Sequence, residues 1–413
     1  MTAFCLLLVS LSVFSFVCEH NRLLRTYRIP ASLTGAVLLL IIFQVFPQMQ
    51  NYDFYQQWKE WPAKFIALVF AALFLQSVEM QGSSKHKEVA AETLLVWITM
   101  LGQMTLAILC TLFVFRPFFG LPMAFAAVLE GGFSGGHGTA AAYQEIMRAN
   151  GFVQGGDFTL FSATIGIVLA LSGGVFFLQS EVRLQDLPKP SFPKVSLDPH
   201  PLVFSLAALC LAYWGGDILR TQMKLNFTSL PVFPLFAYTI FTGLVLKFLI
   251  GVAKQKAVLS NNVFAFSANF FMDLLILSGV ATLNLTLISE ALLPLAILFA
   301  VGFAWNVFSY KVLSRRILPA EYSRELAILN FGVFNGTTAI GLLLLKIIDP
   351  EFKSPAIRIF AESVPFYAPF LGGGLLTLTL PYILFHYNPY LVAGCFVFAM
   401  FCLFALARWL AKW

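Results

Sequence analysis

The chain has 413 residues, of which 59% are hydrophobic and only 11% are charged, and its formal net charge is +6. Soluble globular domains carry about 25% charged residues, so this chain has too little polar surface to cover a water-soluble globule. The composition argues against a soluble enzyme or a nucleic-acid-binding domain, and it indicates an all-α polytopic membrane protein.

Apolar segments bounded by Pro, Gly and charged residues predict the membrane helices in chain order. They lie near residues 3–18, 30–46, 62–79, 90–115, 157–180, 201–219, 230–251, 262–283, 287–313, 357–385 and 389–411. Two further segments, 121–149 and 321–348, mix apolar residues with Gly, Thr, Asn and charged residues, so neither is typical of a plain span. A polar, Pro-rich linker at 181–200 separates the two halves of the chain.

The basic residues are distributed unevenly over this pattern. With the N-terminus outside, most of the 26 Lys and Arg residues fall in cytoplasmic loops if segments 121–149 and 321–348 each enter and leave on one side. A full crossing by either segment would invert the loops after it and weaken the bias. We therefore predict a re-entrant loop in each half, a cytoplasmic linker at 181–200 and a cytoplasmic C-terminus, and we attribute the positive charge to topology.

The two halves share short sequence patterns. Residues 34–38 (TGAVL) recur as 242–246 (TGLVL), and residues 133–141 recur as 331–339 with Phe, Gly, Thr and Ala at the same offsets. An odd number of spans in the first half turns the second half upside down, which is the inverted-repeat plan of many secondary transporters. The predicted domains are a first five-helix repeat (1–180), a second inverted repeat (201–385) and an additional C-terminal helix (386–413).

The first re-entrant segment contains a glycine-rich run from Gly131 to Gly138. Each glycine costs about 1 kcal/mol relative to Ala in a helix, so we predict that the run is irregular and forms the tip of the loop. A helix that begins there directs its N–H groups at an anion such as a carboxylate. The hydroxyls of Ser134 and Thr139 suit a small cation such as sodium. The structural alternative is that the glycines only let helices pack closely.

The second re-entrant segment has fewer glycines but carries amides and hydroxyls. Asn335-Gly336 is typical of a tight turn. Thr337 and Thr338 either bind a ligand or only cap the helix that follows.

Ionisable residues inside predicted membrane segments are functional candidates. Glu130 and Asp273 are candidates for ion coupling, as cation ligands or proton carriers, and the alternative for each is a structural hydrogen bond or ion pair. His137 lies in the glycine-rich run, where a structural and a functional role are both open. The sequence contains no catalytic, metal-binding or nucleotide-binding motif, so we expect no enzyme activity, no cofactor and no bound metal other than a coupling ion.

Three motifs resemble those of the bacterial glutamate:sodium symporter family. The block from Ser134 to Tyr143 (SGGHGTAAAY) resembles the family's SGGHGTGAAW, and Tyr27-Arg-Ile-Pro30 resembles the start of its second helix. Phe331-Gly332 and Thr338-Ala339-Ile340 line up with its FGLGATPTAI. The resemblance spans residues 1 to about 385 and implies two inverted five-helix repeats, a re-entrant loop in each, sodium-driven glutamate uptake and a homodimer.

The chain departs from the family pattern in three places, which makes it a divergent member. Phe334 is bulky where the family has a Gly-rich, Pro-containing second loop. Glu130 stands where the family usually has a neutral residue. The helix at 389–411 is additional.

The sequence thus predicts a secondary transporter of the bacterial inner membrane that symports glutamate or a related small carboxylate with sodium by alternating access. The alternatives are a proton-coupled carrier of a different solute and a membrane-embedded lipid-modifying enzyme that uses His137 and Glu130 as acid and base. The predicted substrate-binding and ion-binding residues are Ser134, Gly135, Gly136, His137, Gly138, Thr139, Asn335, Gly336, Thr337 and Thr338. The candidate sodium ligands among them are Ser134, Thr139, Thr337 and Thr338.

Overall fold

The computed structural model describes residues 2–21, 30–76, 86–178, 199–226, 235–252, 259–349 and 354–410. Within these ranges every regular element is a helix, and seven helices are long and apolar enough to cross a membrane. The predicted all-α polytopic class is therefore confirmed. Most of the predicted linker lies outside the described residues, and so does most of the Tyr27–Pro30 motif.

The helices are numbered here in chain order. They are α1 (Thr2–His20), α2 (Ala31–Val45), α3 (Asp53–Leu75), α4 (His86–Phe119), α5 (Ala127–Phe133), α6 (Gly136–Ala149), α7 (Gly155–Leu178), α8 (Pro199–Asn226), α9 (Leu235–Val252), α10 (Asn261–Ala281), α11 (Leu285–Glu290), α12 (Leu292–Ile317), α13 (Ser323–Asn335), α14 (Thr338–Ile348), α15 (Ala356–Tyr367), α16 (Leu375–His386) and α17 (Pro389–Leu410).

The chain forms two compact units, and each unit combines one stretch from each half of the sequence. The first unit comprises Met1–Glu79 and Lys189–Leu283, and the second comprises Met80–Pro188 and Asn284–Trp413. The predicted repeats are stretches of sequence, so each compact unit contains part of both. That the halves are inverted relative to each other stays a prediction.

The first unit packs α3, α8, α9 and α10 through small residues. A Cβ added to Gly216 on α8 would lie 2.6 Å from Thr239 Cγ2 on α9, so these helices approach closely. The Thr239 hydroxyl donates to the Ala67 carbonyl on α3 at 3.0 Å, which satisfies a polar group in an apolar interior. The core cluster consists of Ala71, Ala72, Leu75, Ala208, Leu209, Ala212, Phe264 and Ala268.

In the second unit, α4 and α12 pack against each other at Gly102 and the indole of Trp305. A Cβ on Gly102 would lie 2.1 Å from Trp305 Cζ2, and the Trp305 indole N–H donates to the Thr99 carbonyl at 2.7 Å. Each of these two helices contains a π-helical stretch, Thr111–Phe115 in α4 and Ser309–Leu313 in α12. The two stretches have the same separation along the chain as the recurring segments 133–141 and 331–339. Single π-helical turns are rare and often accompany functional sites.

Segments 121–149 and 321–348 each form a hairpin of two helices with a break between them. Hairpin A consists of α5 and α6 and breaks at Ser134-Gly135, and hairpin B consists of α13 and α14 and breaks at Gly336-Thr337. The irregular stretch in hairpin A is therefore shorter than the predicted glycine-rich run.

Gly131, Gly132 and Gly138 are helical, contrary to the prediction of an irregular run. Two of these glycines are close-packing positions, since a Cβ on Gly131 would lie 2.3 Å from Tyr143 Cε2 and one on Gly132 would lie 2.3 Å from Ser162 Oγ. Tertiary packing thus outweighs the low helix propensity of glycine here.

The prediction of one helix over 357–385 is wrong, because residues 368–374 form an irregular joint between α15 and α16. Gly372 and Gly373 in this joint have φ angles of 62° and 98°. Consecutive residues in the left-handed region cannot continue a right-handed helix, and glycine adopts these angles at low cost. The additional C-terminal helix is present as α17.

Candidate functional site

The tips of the two hairpins contact each other. The Ser134 hydroxyl of hairpin A donates to the Phe334 carbonyl of hairpin B at 3.1 Å. A Cβ on Gly136 would lie 3.5 Å from Thr337 Cγ2. The first turns of α6 and α14 therefore lie side by side, and the residues singled out in the two re-entrant segments come together in one place.

At tip A, glycine is required by the backbone. Gly136, the first residue of α6, has a φ of 66°, which favours glycine. Gly135 has no room for a side chain, since a Cβ there would lie 2.6 Å from the Gly131 carbonyl oxygen. Within the part of the chain that the structure describes, no side chain caps α6. The first N–H groups of a helix have no intrahelical partner, so these N–H groups are available to a ligand.

At tip B, a side chain replaces glycine as the organising group. Thr337 is the N-cap of α14, and its hydroxyl accepts a hydrogen bond from the Ile340 N–H at 3.4 Å. The capping role therefore applies to Thr337, whereas Thr338 is exposed. Asn335 ends α13, is fully buried and donates to the Phe331 carbonyl at 2.9 Å.

Two buried amide side chains, one on α4 and one on α12, form hydrogen bonds with the hairpin tips. Gln103 Oε1 on α4 lies 2.8 Å from the Ser134 hydroxyl, which shares its one proton between this oxygen and the Phe334 carbonyl. Asn306 on α12 donates to the Asn335 side-chain oxygen at 2.9 Å and to the Phe334 carbonyl at 3.2 Å.

Each of these amides has one atom without a hydrogen-bond partner among the described residues, namely Gln103 Nε2, a donor, and Asn306 Oδ1, an acceptor. Both residues are 0% exposed. Buried polar atoms in native proteins are normally paired, so an orphaned donor and an orphaned acceptor beside one junction indicate a position for a polar ligand.

Thr139 and His137 lie on α6 just beyond tip A. The Thr139 hydroxyl donates to the Gly135 carbonyl at 2.9 Å, which leaves its oxygen lone pairs for a cation. His137 Nε2 lies 3.1 Å from the Thr164 hydroxyl of α7, and His137 is 2% exposed. The ring is therefore anchored to a neighbouring helix, as in the structural interpretation of this residue.

Glu130 on α5 connects tip A to the glycine joint at 368–374. Its Oε1 accepts from the Thr377 hydroxyl at 2.8 Å and from the Gly372 N–H at 3.4 Å, while Oε2 is buried without a partner. A Cβ on Gly372 would lie 3.6 Å from the Ser134 carbonyl oxygen. The joint is thus a third irregular segment at the junction of the hairpins.

Asp273, the other ionisable candidate, belongs to the first compact unit. Its Oδ1 accepts from the Ser32 hydroxyl at 2.5 Å, so it links α10 to the start of α2. The hairpin residues belong to the second unit. The hydrogen bond shown is within the first unit, as expected for the structural alternative.

Sequence reasoning missed three parts of this site: Gln103, Asn306 and the glycine joint. Gln103 and Asn306 are single polar residues inside long apolar helices. In the sequence alone, such a residue is a weaker indication of function than an ionisable residue, unless its partner is known. The joint was signalled by Pro365, Pro369 and three consecutive glycines, which together are typical of a helix break.

The family model described as sodium/glutamate symporter matches residues 1–177 of the chain. Residues 1–177, less than half of the chain, are therefore similar to this symporter family. The match covers hairpin A and most of α7, so the symporter resemblance of the Ser134–Tyr143 block is confirmed. Among curated proteins, a search finds no match. Hairpin B lies outside the matched residues, and its contacts with hairpin A place it at the candidate site.

Proposed function

We propose that the chain is a secondary active transporter that symports glutamate or a related small carboxylate with sodium by alternating access. The match of residues 1–177 to the sodium/glutamate symporter family model supports transport and symport. The observation that carries the finer proposal is the junction of the two hairpin tips, where two helix N-termini and two orphaned amide atoms converge.

The N-terminus of α6 has the chemistry to bind a carboxylate. Helix N-termini carry a partial positive charge of about half an elementary charge, and here two of them, α6 and α14, lie in contact at Gly136 and Thr337. Adjacent positive ends repel unless an anion lies between them. The Gln103 Nε2 donor adds a further hydrogen bond for an anion.

A sodium ion fits the oxygen-rich side of the same junction. Asn306 Oδ1 is an unpartnered oxygen, and the hydroxyl oxygens of Ser134 and Thr139 retain lone pairs. Thr337 contributes one more hydroxyl, and Thr338 is a further candidate. Hard cations take oxygen ligands of this kind. An anion and a cation bound side by side each stabilise the other, which is the physical basis of coupled transport.

The division of the chain into two units, each built from both halves, supports a mechanism in which one unit moves relative to the other. The matching π-helical stretches and the two hairpins support the inverted repeat. We further propose an inner-membrane location with the N-terminus outside, and a homodimer, as in the resembling family.

The test is uptake of labelled L-glutamate by liposomes that contain the purified protein, with and without an inward sodium gradient. Sodium-driven accumulation is expected, and a choline gradient of equal size serves as the control. Equal uptake in the two gradients by folded protein would contradict sodium coupling.

A proton-coupled carrier is the second candidate, because Glu130 Oε2 is buried without a partner beside the junction. An inward proton gradient in place of sodium distinguishes the two. Under the sodium proposal it drives no accumulation, whereas proton-driven accumulation without sodium would favour the second candidate.

A further inference from the structure

A second buried carboxylate lies away from the hairpin tips. Glu92, on the first half of α4, is 0% exposed, and its Oε1 accepts a hydrogen bond from Asn330 Nδ2 at 2.8 Å. Asn330 is 1% exposed and lies on α13, more than a helical turn before the tip of hairpin B. The pair therefore joins α4 to hairpin B at a position that no predicted site residue occupies.

The polar atoms of Glu92 and Asn330 that this hydrogen bond does not use could form a second hydrogen bond. A carboxylic acid and a primary amide can make two hydrogen bonds in a ring: the amide N–H donates to one acid oxygen, and the acid O–H donates to the amide oxygen. The first bond is present. The two atoms that the second would join, Glu92 Oε2 and Asn330 Oδ1, are both buried and without a partner. One proton on Glu92 would satisfy both, whereas an ionised carboxylate leaves two oxygens orphaned.

No cation neutralises Glu92 within the described part of the chain, where its hydrogen-bond partner is Asn330 and it forms no ion pair. Tyr367 on α15 lies within electrostatic range of the carboxylate. An unpaired buried charge is costly, so the neutral acid is the form that this environment favours. The other titratable or charged groups on α4 and on the helices packed against it are His86, Lys87, Glu88, Cys110, Arg116, Glu130, Tyr310, Lys311, Arg315, Arg316, Arg324, Glu325, Arg358, Glu362, Tyr390, Cys395, Cys402 and Arg408.

We propose that Glu92 and Asn330 form a proton-binding site that is separate from the solute site. The bound proton completes the ring between the acid and the amide and so fixes hairpin B to α4. Loss of the proton leaves a negative charge facing the Asn330 oxygen, which weakens this attachment. This proton-binding site is independent of which solute the hairpins bind.

Infrared spectroscopy of the purified protein tests the site without any transport assay, because a protonated carboxyl has a C=O stretch that a carboxylate lacks. We expect a protonated-carboxyl absorption band near neutral pH that loses one carboxyl component in Glu92→Gln, and any component from Glu130 should remain. Replacing the exposed Glu290 by Gln is the matched control and should leave the band unchanged. An identical band in the wild type and Glu92→Gln would overturn the proposal.

The partner residue gives a second measurement should Glu92→Gln fold poorly. In Asn330→Val the same band should persist but shift to the frequency of a carboxyl without a hydrogen-bond partner. An unshifted band would contradict the ring.

Hydrogen exchange tests the attachment of hairpin B. Glu92→Gln preserves the ring, since the Gln amide can donate to Asn330 Oδ1 permanently. Raising the pH should therefore increase amide exchange in α13 of the wild type several-fold more than in Glu92→Gln, after correction for intrinsic exchange rates. Equal increases in the two proteins would overturn the role of the proton in holding the hairpin.

Discussion

Hairpins A and B have the same plan but use different chemistry at their tips. Tip A is organised by backbone, with a left-handed glycine at Gly136 and no side-chain cap on α6. Tip B is organised by side chains, with Thr337 as a cap and Asn335 bound by Asn306. Tip A therefore relies on the backbone N–H groups in the first turn of α6, and tip B adds side-chain oxygens.

This difference separates the two ligands that a symporter must bind together. N–H donors and a positive helix end suit a carboxylate, while amide and hydroxyl oxygens suit a cation. Changes to the Gly136 backbone of tip A or to Gln103 should therefore alter solute affinity first, and changes to Asn306 or Thr337 should alter sodium affinity first.

Gly136→Ala should abolish most glutamate uptake. The added methyl group makes the left-handed backbone unfavourable by about 1–2 kcal/mol and so displaces the first turn of α6. Uptake should fall on the order of tenfold or more. Gly120→Ala is a matched control, because Gly120 has a nearly equal φ of 65° but an added Cβ meets nothing within 4 Å. Comparable loss of uptake in both variants would attribute the effect to general strain instead of the site.

Asn306→Leu and Gln103→Leu should each weaken the binding of a different ligand. Each removes a buried hydrogen-bond partner, at a cost of about 1–3 kcal/mol. Gln103→Leu should raise the KM for glutamate more than the half-saturating sodium concentration, and Asn306→Leu should do the reverse. Uptake measured over a matrix of both concentrations provides the comparison. The division between the tips is wrong if the two variants shift both constants by the same factors.

The fold class and the two hairpins were predictable from the sequence because composition and charge distribution are properties of whole segments. The geometry of the hairpins was harder to predict from the sequence. Gly131 and Gly132 have low helix propensity, yet they are helical because Tyr143 and Ser162 occupy the space of their missing side chains. Contacts between residues remote in the chain, such as Gln103 with Ser134, leave no local pattern. The roles of Glu92 and Asn330 likewise depend on their pairing, which neither segment reveals alone.

Glu130→Gln tests whether the carboxylate beside tip A takes part in ion coupling. The Gln oxygen can still accept from the Thr377 hydroxyl, so folding should be preserved. We expect the sodium dependence of uptake to change several-fold while the KM for glutamate changes less. An unchanged sodium dependence would assign Glu130 to a structural role between α5 and the glycine joint.

Thr337→Val should have the smallest effect. It removes the cap of α14 and costs about 0.5–2 kcal/mol of helix stability. Thermal unfolding should shift downwards by a few degrees, and sodium affinity should weaken modestly. Thr337→Ser retains the hydroxyl and should behave like the wild type in both measurements. A Ser variant as impaired as the Val variant would show that the methyl group, not the cap, is the important part of the side chain.

Equilibrium binding of labelled L-glutamate to the purified protein, titrated in sodium and in choline, tests most directly whether the two tips form one coupled site. Linkage requires that sodium raise glutamate affinity by the same factor as glutamate raises sodium affinity. We predict an increase in glutamate affinity with sodium in the wild type that is largely lost in Asn306→Leu. Glutamate affinity that is equal in sodium and choline would show that the two tips do not form one coupled site.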